Sequence, residues 1–357
     1  MKIIVFIYSM HRPGGTERAA TDLAEGFQRN GHEVTIMTTD KNSKTLFYEI
    51  DKEIRILNLS IMGNYSKIKK VLNFFPALYY IRNTIISESP DVVISFCDKL
   101  NVLLSASLLF KNIPIILTEH FTPGFYNIGL FWDILRELFY RKAKYITVLT
   151  EKSKEYFSIT LKKKIVVMPN IVRASTDKKD SNVSKRIIAV GRLRESKGFD
   201  ILINAFKIIS DKYEDWILEI WGDGELKSDL TNQIKDLELE RKVFLRGVTR
   251  NIQYEMLKSD IFVLSSRVEG FGLVLCEAMS IGLAVVSTDC PYGPKEIVTN
   301  YYDGLLVENE NEIKLAEAME LLIADKTLRK KLGLNAIESM SKFSEKNIID
   351  RWEKLFC

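Results

Sequence analysis

The chain has 357 residues, 46% apolar and 27% charged, which is ordinary for a water-soluble globular protein and too long for one hydrophobic core. Nowhere does it approach the roughly 20 consecutive apolar residues of a membrane-spanning helix, and the opening MKIIVFIYS reads as a first strand rather than a secretion signal. The net charge of +4 hides an asymmetry. Residues 1–183 carry 26 Lys+Arg against 18 Asp+Glu (+8) and residues 184–357 carry 25 against 29 (−4), so the first half suits an anionic partner surface.

In chain order, Lys2–Tyr8 is an apolar strand, followed by a Pro-Gly-Gly loop and a helix from Thr16 to about Asn30. Glu33–Thr38 is the second strand. Further strands are expected at Val92–Phe96, Pro114–Thr118, Tyr145–Leu149 and Ile165–Met168, alternating with helical patterns. The stretch Tyr65–Arg82 combines Lys67, Lys69, Lys70 and Arg82 with Phe74, Phe75, Tyr79 and Tyr80. It reads as a basic amphipathic segment that lies on an anionic membrane or lines a lipid-acceptor groove, or as a core-facing helix with a solvated face; Pro76 interrupts the amphipathic pattern.

Residues 174–185 are polar and nearly free of bulky apolar side chains, a linker between a first domain (1–173) and a second (186–340). In the second, strands are expected at Ile187–Val190, Trp216–Trp221, Val243–Leu245, Ile261–Leu264, Ala284–Ser287 and Leu305–Val307. Closing helices are expected at Glu312–Ala324, Lys326–Met340 and Lys346–Phe356, with 341–357 set apart as a C-terminal segment. Two doubly wound α/β domains, with ligands at the carboxyl ends of their parallel strands, are the expected architecture.

The chemistry concentrates at loops that follow strands. Gly14-Gly15-Thr16-Glu17 opens a helix directly after the first strand, where glycine lets the backbone approach a ligand and the helix start offers N–H donors. Glu119-His120 ends another strand. Arg192 and Lys197 lie in the glycine-bounded loop Gly191–Gly198, a guanidinium fork and a point ammonium suited to a diphosphate. After Ile261–Leu264 comes SSRVEGFGLVLCEAMSI, in which Glu269 sits over a helix start and Glu277 lies on an otherwise greasy helix. Two carboxylates flanking an anion site suit a ligand with both phosphate and hydroxyls, such as a nucleotide sugar. The same residues also fit plain turns, a solvated loop carboxylate and a structural histidine.

Cys97, Cys276, Cys290 and Cys357 make no C-x-x-C pair, as expected in a reducing cytoplasm. His11, His32 and His120 are too scattered for a zinc cluster, and no Asp-x-Asp pair is present to hold a divalent ion against a diphosphate. A site without metal or cofactor is the expectation, and nothing points to nucleic acid.

In order, GGTER, TEH, Pro169-Asn170, GRL…KG, EGFGLVLCE, GPKEIV and DGLLV resemble the retaining glycosyltransferases of family 4, over nearly the whole chain from Lys2 to about Phe356. That resemblance implies the GT-B fold, two Rossmann-like domains facing each other across a cleft, with the last helix crossing back to the first domain. It implies an acceptor-binding first domain and a donor-binding second. Arg192 and Lys197 would bind the donor diphosphate and Glu277 the ribose hydroxyls. Glu269 would contact the transferred hexose, beside the backbone of Phe271, Gly272 and Leu273. Gly15 would lie near the diphosphate and His120 near the reacting carbon. The catalytic set implied is His120, Arg192, Lys197 and Glu269, without a protein nucleophile and without metal. The segment CPYGPKEI (290–297) resembles members that build bacterial surface polysaccharides (O-antigen, capsule, lipopolysaccharide) from UDP-Gal, UDP-GalNAc or UDP-GlcNAc on lipid-linked acceptors. A hexose or N-acetylhexosamine (Gal, GalNAc, GlcNAc or Glc) and a location on the inner face of the cytoplasmic membrane follow as expectations. A sugar-nucleotide 2-epimerase and a non-catalytic sugar-nucleotide-binding subunit are the alternatives.

Overall fold

Continuous apolar runs such as Ile3–Ile7 and Ile261–Leu264 are what strands buried on both faces require, and the structure uses them so. A computed structural model describes residues 1–11, 14–40, 46–61, 74–120, 128–173 and 184–356. Seven strands, β1 (Lys2–Ile7), β2 (Glu33–Thr38), β3 (Arg55–Asn58), β4 (Val92–Phe96), β5 (Ile115–Glu119), β6 (Tyr145–Val148) and β7 (Ile165–Val167), form one sheet in the order β3-β2-β1-β4-β5-β6-β7. All pairs are parallel, with Ile3 opposite Val34 and Val92. The helices of this part are α1 (Gly15–Arg29), α2 (Phe74–Glu88), α3 (Asp98–Ser107), α4 (Leu130–Phe139) and the single turn α5 (Ile159–Lys162). α3 packs between α2 and α4, and its Leu100, Val102 and Leu104 are wholly buried.

The second sheet holds β8 (Arg186–Val190), β9 (Ile217–Trp221), β10 (Val243–Gly247), β11 (Ile261–Leu264), β12 (Ala284–Thr288) and β13 (Leu305–Val307), again all parallel, in the order β10-β9-β8-β11-β12-β13. Its helices are α6 (Phe199–Ser210), α7 (Lys227–Asp236), α8 (Ile252–Leu257), α9 (Leu273–Ser280), α10 (Pro294–Ile297), α11 (Glu312–Ala324) and α12 (Lys326–Met340). α11 and α12 start where side-chain caps satisfy free N–H groups: Asn311 accepts from Lys314 N and Asp325 from Leu328 N, each worth about 1 kcal/mol.

The last helix, α13 (Glu345–Glu353), belongs to the first unit. Glu345 takes the Arg29 guanidinium, with Nε at 2.7 Å, and Glu353 Oε1 lies 3.0 Å from Asn30 Nδ2 and 2.9 Å from His32 Nε2. Trp352 and Phe356 pack on Phe27. A Cβ on Gly26 would stand 2.6 Å from Ile349 Cδ1, so the missing side chain lets α13 lie close on α1.

The units are Met1–Ile171 with Glu345–Cys357, and Val172–Ser344. The turn Ser341–Phe343 stays with the second unit, where Phe343 O accepts from Val172 N, so the C-terminal segment changes unit at Ser344/Glu345 rather than at 341. Of the expected linker 174–185, residues 174–183 lie outside the described residues, as do 65–73 of the basic aromatic stretch. Strand β3 was not expected: RILN is an edge strand with only two apolar residues and little alternation to read.

Each sheet reverses its strand order once, at β1/β4 and at β8/β11. At such a point adjacent loops leave toward opposite sides of the sheet and open a crevice at the strand ends.

Candidate active site

In the second unit the loops after β8 and β11 flank the reversal. Gly198 has φ 60°, and a Cβ there would lie 2.1 Å from Ser265 O, so only glycine permits the approach of the two loops. Ser265 Oγ donates to Lys197 O at 2.9 Å and Arg267 N to Ser196 O at 2.9 Å. Arg267 forks onto Asp200 (2.8 and 2.6 Å) and reaches Glu310 at 2.9 Å, which holds the Asp200 carboxyl below the usual range despite its burial.

This stitching brings together two side chains 72 positions apart. Lys197 Nζ lies 2.5 Å from Glu269 Oε1, and Ser266 Oγ donates to the same oxygen at 2.6 Å. Glu269 is buried and its ion pair is partly so, a geometry that fixes both charges before any ligand arrives. Cys290 beside it has its thiol pushed up to about 12, first by burial and then by the Glu269 charge, which leaves it protonated and unsuited to attack.

Gly272, at φ 93°, turns the chain into α9, whose Leu275, Cys276, Ala278 and Met279 are wholly buried. The half-open face holds Leu273, Val274 and, one turn beyond Leu273, Glu277. Phe271 is a core wedge whose ring packs edge-on against Phe343 at 5.4 Å, so that its backbone rather than its ring is left for a ligand. Arg192 is exposed at the end of β8.

In the first unit, Gly15 is the first residue of α1, and a Cβ built on it meets nothing within 4 Å. His120 follows β5 directly. Its ring stacks obliquely on Phe96 at 4.8 Å and lines a small cavity with Thr147, Asn170 and Trp352. Burial pushes the imidazole down to about 3, so it is neutral at physiological pH and able to accept or donate one hydrogen bond.

Sequence spacing did not reveal what stands behind His120. Glu119 is buried, accepts from Tyr140 Oη and from Asn101 Nδ2 (3.2 Å), and has its carboxyl pushed up to about 7, chiefly by burial. Asn101 Nδ2 also donates to Thr118 O at 3.0 Å, tying α3 to the end of β5. Cys97, at φ 79°, caps the same edge, and burial raises its thiol and the Tyr8 and Tyr140 phenols. The one signal was Glu119 standing next to His120 in TEH; Asn101 and Tyr140 sit in ordinary helical contexts. Ser266 was likewise missed, in a loop where serine has many uses.

The site residues thus fall into two sets, Arg192, Lys197, Glu269, Phe271, Gly272, Leu273 and Glu277 in one unit and Gly15 and His120 in the other. Two parallel doubly wound sheets, with Lys197 and Glu269 at the strand reversal of one and Gly15 and His120 after strands of the other, are the GT-B fold. The solved structure of a mutant of S. aureus TarM with fondaparinux, alpha-GlcNAc-glycerol and UDP shares this fold, at a TM-score of 0.82 over 99% of both chains and 16% identity.

Sequence comparison narrows the class. Residues 13–175 match the model of Glycosyltransferase Family 4 and residues 173–339 that of Glycosyl transferases group 1. A Campylobacter jejuni N-acetylgalactosamine-N,N'-diacetylbacillosaminyl-diphospho-undecaprenol 4-alpha-N-acetylgalactosaminyltransferase is 31% identical over 92% of each chain. A second C. jejuni protein, the alpha-1,4-N-acetyl-D-galactosaminyltransferase acting on GalNAc-alpha-(1->4)-GalNAc-alpha-(1->3)-diNAcBac-PP-undecaprenol, is 27% identical over all of this chain and 99% of its own. The chain belongs to glycosyltransferase family 4.

Proposed function

We propose that this protein transfers a hexose or N-acetylhexosamine (Gal, GalNAc, GlcNAc or Glc) from a UDP-sugar to a lipid-linked saccharide, with retention at the anomeric carbon. The setting is assembly of a bacterial surface polysaccharide such as O-antigen, capsule or lipopolysaccharide. The enzyme works from the cytoplasm, on the inner face of the membrane; no described helix is long and apolar enough to cross one. The carrying observation is the preset Lys197–Glu269–Ser266 cluster at the β8/β11 reversal. Relatives matched over nearly their full length and named for undecaprenyl-diphosphate-linked acceptors support the acceptor class.

An ammonium has three donors, so Lys197 can keep Glu269 and still bind a phosphate oxygen, while Arg192 brings the second cation to the diphosphate. Glu269 accepts from hydroxyls of the hexose and Glu277 from those of the ribose. Neutral His120 hydrogen-bonds a sugar hydroxyl near the anomeric carbon. The bond from that carbon to the diphosphate oxygen breaks, the acceptor oxygen bonds on the same face, and the acceptor's proton passes to the departing phosphate. Stabilising the leaving charge is then the protein's main contribution. The proposed reaction calls on no metal.

The test is release of nucleoside diphosphate from a panel of UDP-, GDP- and ADP-sugars, in EDTA, with membranes from a polysaccharide-producing bacterium as acceptor and NMR of the product's anomeric configuration. One UDP-sugar should react, and Lys197→Ala or Glu269→Ala should lose about 10²-fold or more in kcat. A folded protein silent on the whole panel, yet binding UDP-sugar, would establish the non-catalytic subunit instead.

A further inference from the structure

Helix α4 carries one broad apolar arc, of which the core covers only part. Trp132, Leu135 and Phe139 point inward and pack on the core of the first unit. Leu130, Phe131, Ile134 and Leu138 continue the arc and are 77%, 65%, 59% and 57% exposed. Ile159 of α5 is 80% exposed, and the preceding Ser158 Oγ donates to Glu137 Oε1 of α4 at 2.8 Å, which ties the start of α5 to α4. Asp133, Arg136 and Glu137 hold the remaining arc of the helix, so the apolar arc is wider than the core covers, and a water-facing stripe of this size marks a surface that meets something apolar.

Charge identifies the partner. At the C-terminal end of α4, Lys164 Nζ donates to Arg141 O and Ala143 O, each at 2.7 Å, and burial first, then the Lys142 charge, lowers the Lys164 ammonium's pKa. Lys162 and Lys163 are exposed beside them. From 130 to 164 the chain carries nine Lys or Arg against four Asp or Glu, with Arg136 tied to Asp133 and Arg141 to Glu137. Large apolar side chains rimmed by clustered cations complement an anionic lipid surface, where the apolar groups enter the acyl boundary and the cations meet headgroup phosphates. A second copy in a symmetric pair would bring like charges together at the rim.

We infer that the outer face of α4, with Ile159 and the Arg141–Lys164 cluster, is the surface by which this protein docks on an anionic bilayer. The inference rests on the membrane setting proposed above and names the element that meets it; the basic stretch around residues 65–82 is not part of it.

The full-length protein is sedimented with vesicles of phosphatidylcholine alone and of phosphatidylcholine with phosphatidylglycerol, without sugar or acceptor, so the readout stands even where no transfer is found. The wild type should partition at least tenfold better onto the anionic vesicles. Ile134→Glu/Leu138→Glu and, independently, Lys162→Glu/Lys163→Glu should each lose about tenfold. Ile208→Glu, at an exposed apolar position of the second unit, should bind as the wild type does. The melting temperatures of all variants should stay within a few degrees, and transfer to a water-soluble saccharide acceptor should be unchanged. Unaltered vesicle binding by both double variants overturns the inference. So does a wild-type dimer in gel filtration that Ile134→Glu/Leu138→Glu splits, with no vesicle binding by either protein, because the face then joins two copies.

Discussion

Replacing Glu119 by Gln tests the buried network behind His120. Gln keeps an oxygen to accept from Tyr140 and Asn101 and removes only the ionisation. Burial raises the Glu119 carboxyl from 4.5 to about 7, and the Asp98 charge adds to the effect against the hydrogen bonds and the Arg136 charge. Between those two pH values the unfolded chain has lost this proton and the folded chain keeps it, so stability falls as pH rises. Fully ionised, Glu119 destabilises the fold by about 3 kcal/mol. His120 acts the opposite way. Its folded pKa lies near 3, below the ordinary 6.5, so its contribution is present above pH 6.5 and is lost as pH falls toward 3. From pH 4.5 to 6.5 the two slopes oppose each other, and the wild type shows little net change from either. Glu119→Gln removes one of them. Hydrogen exchange of the β4 and β5 amides reads opening of the first unit apart from the second. Variant and wild type should match within about 1 kcal/mol at pH 4.5, with the variant gaining about 3 kcal/mol on the wild type by pH 7.5. A difference that stays constant from pH 4.5 to 8 would refute the buried-carboxyl reasoning.

Gly198→Ala drives a Cβ against Ser265 O at positive φ, and should cost about 2–4 kcal/mol of stability, read as a lower melting temperature with weakened donor binding. Ser266→Ala removes one of the two donors to Glu269 Oε1. It should lower stability by roughly 1.5–3 kcal/mol, the worth of a hydrogen bond to a charge, read as a lower melting temperature, with KM for the donor sugar raised as Glu269 loses an anchor. Because His120 is neutral above about pH 3, an inflection near pH 7 in kcat/KM should vanish in Glu119→Gln and persist in His120→Gln; the reverse would show the imidazole titrating during turnover.

Local pattern alone determined that the chain is α/β and wound twice. Runs such as IIVFI and IFVL are long enough for a strand and too short for a helix, and their alternation with helical periodicity leaves a parallel sheet as the simple solution. The bounds of α11 and α12 were equally legible, and the structure caps these helices with Asn311 and Asp325. Glycine and charge at strand ends likewise marked the loops after β8 and β11, which the fold closes on each other. Pairing was not legible. The contact of Lys197 with Glu269 depends on β8 and β11 being neighbours at a strand-order reversal and on Gly198 passing under Ser265, and neither is a property of local sequence. Strand β3 carried too little alternation to be seen. The network of Glu119, Asn101 and Tyr140 joins a strand end, a helix and a following turn, and Ser266 meets Glu269 only when their loop closes. The outward stripe of α4 reads in sequence as one more apolar helix; only packing decides which side faces the core and which is left to water. Periodicity fixes which residues share a face, whereas burial of a charge and exposure of an apolar face depend on distant parts of the chain, which folding alone brings together.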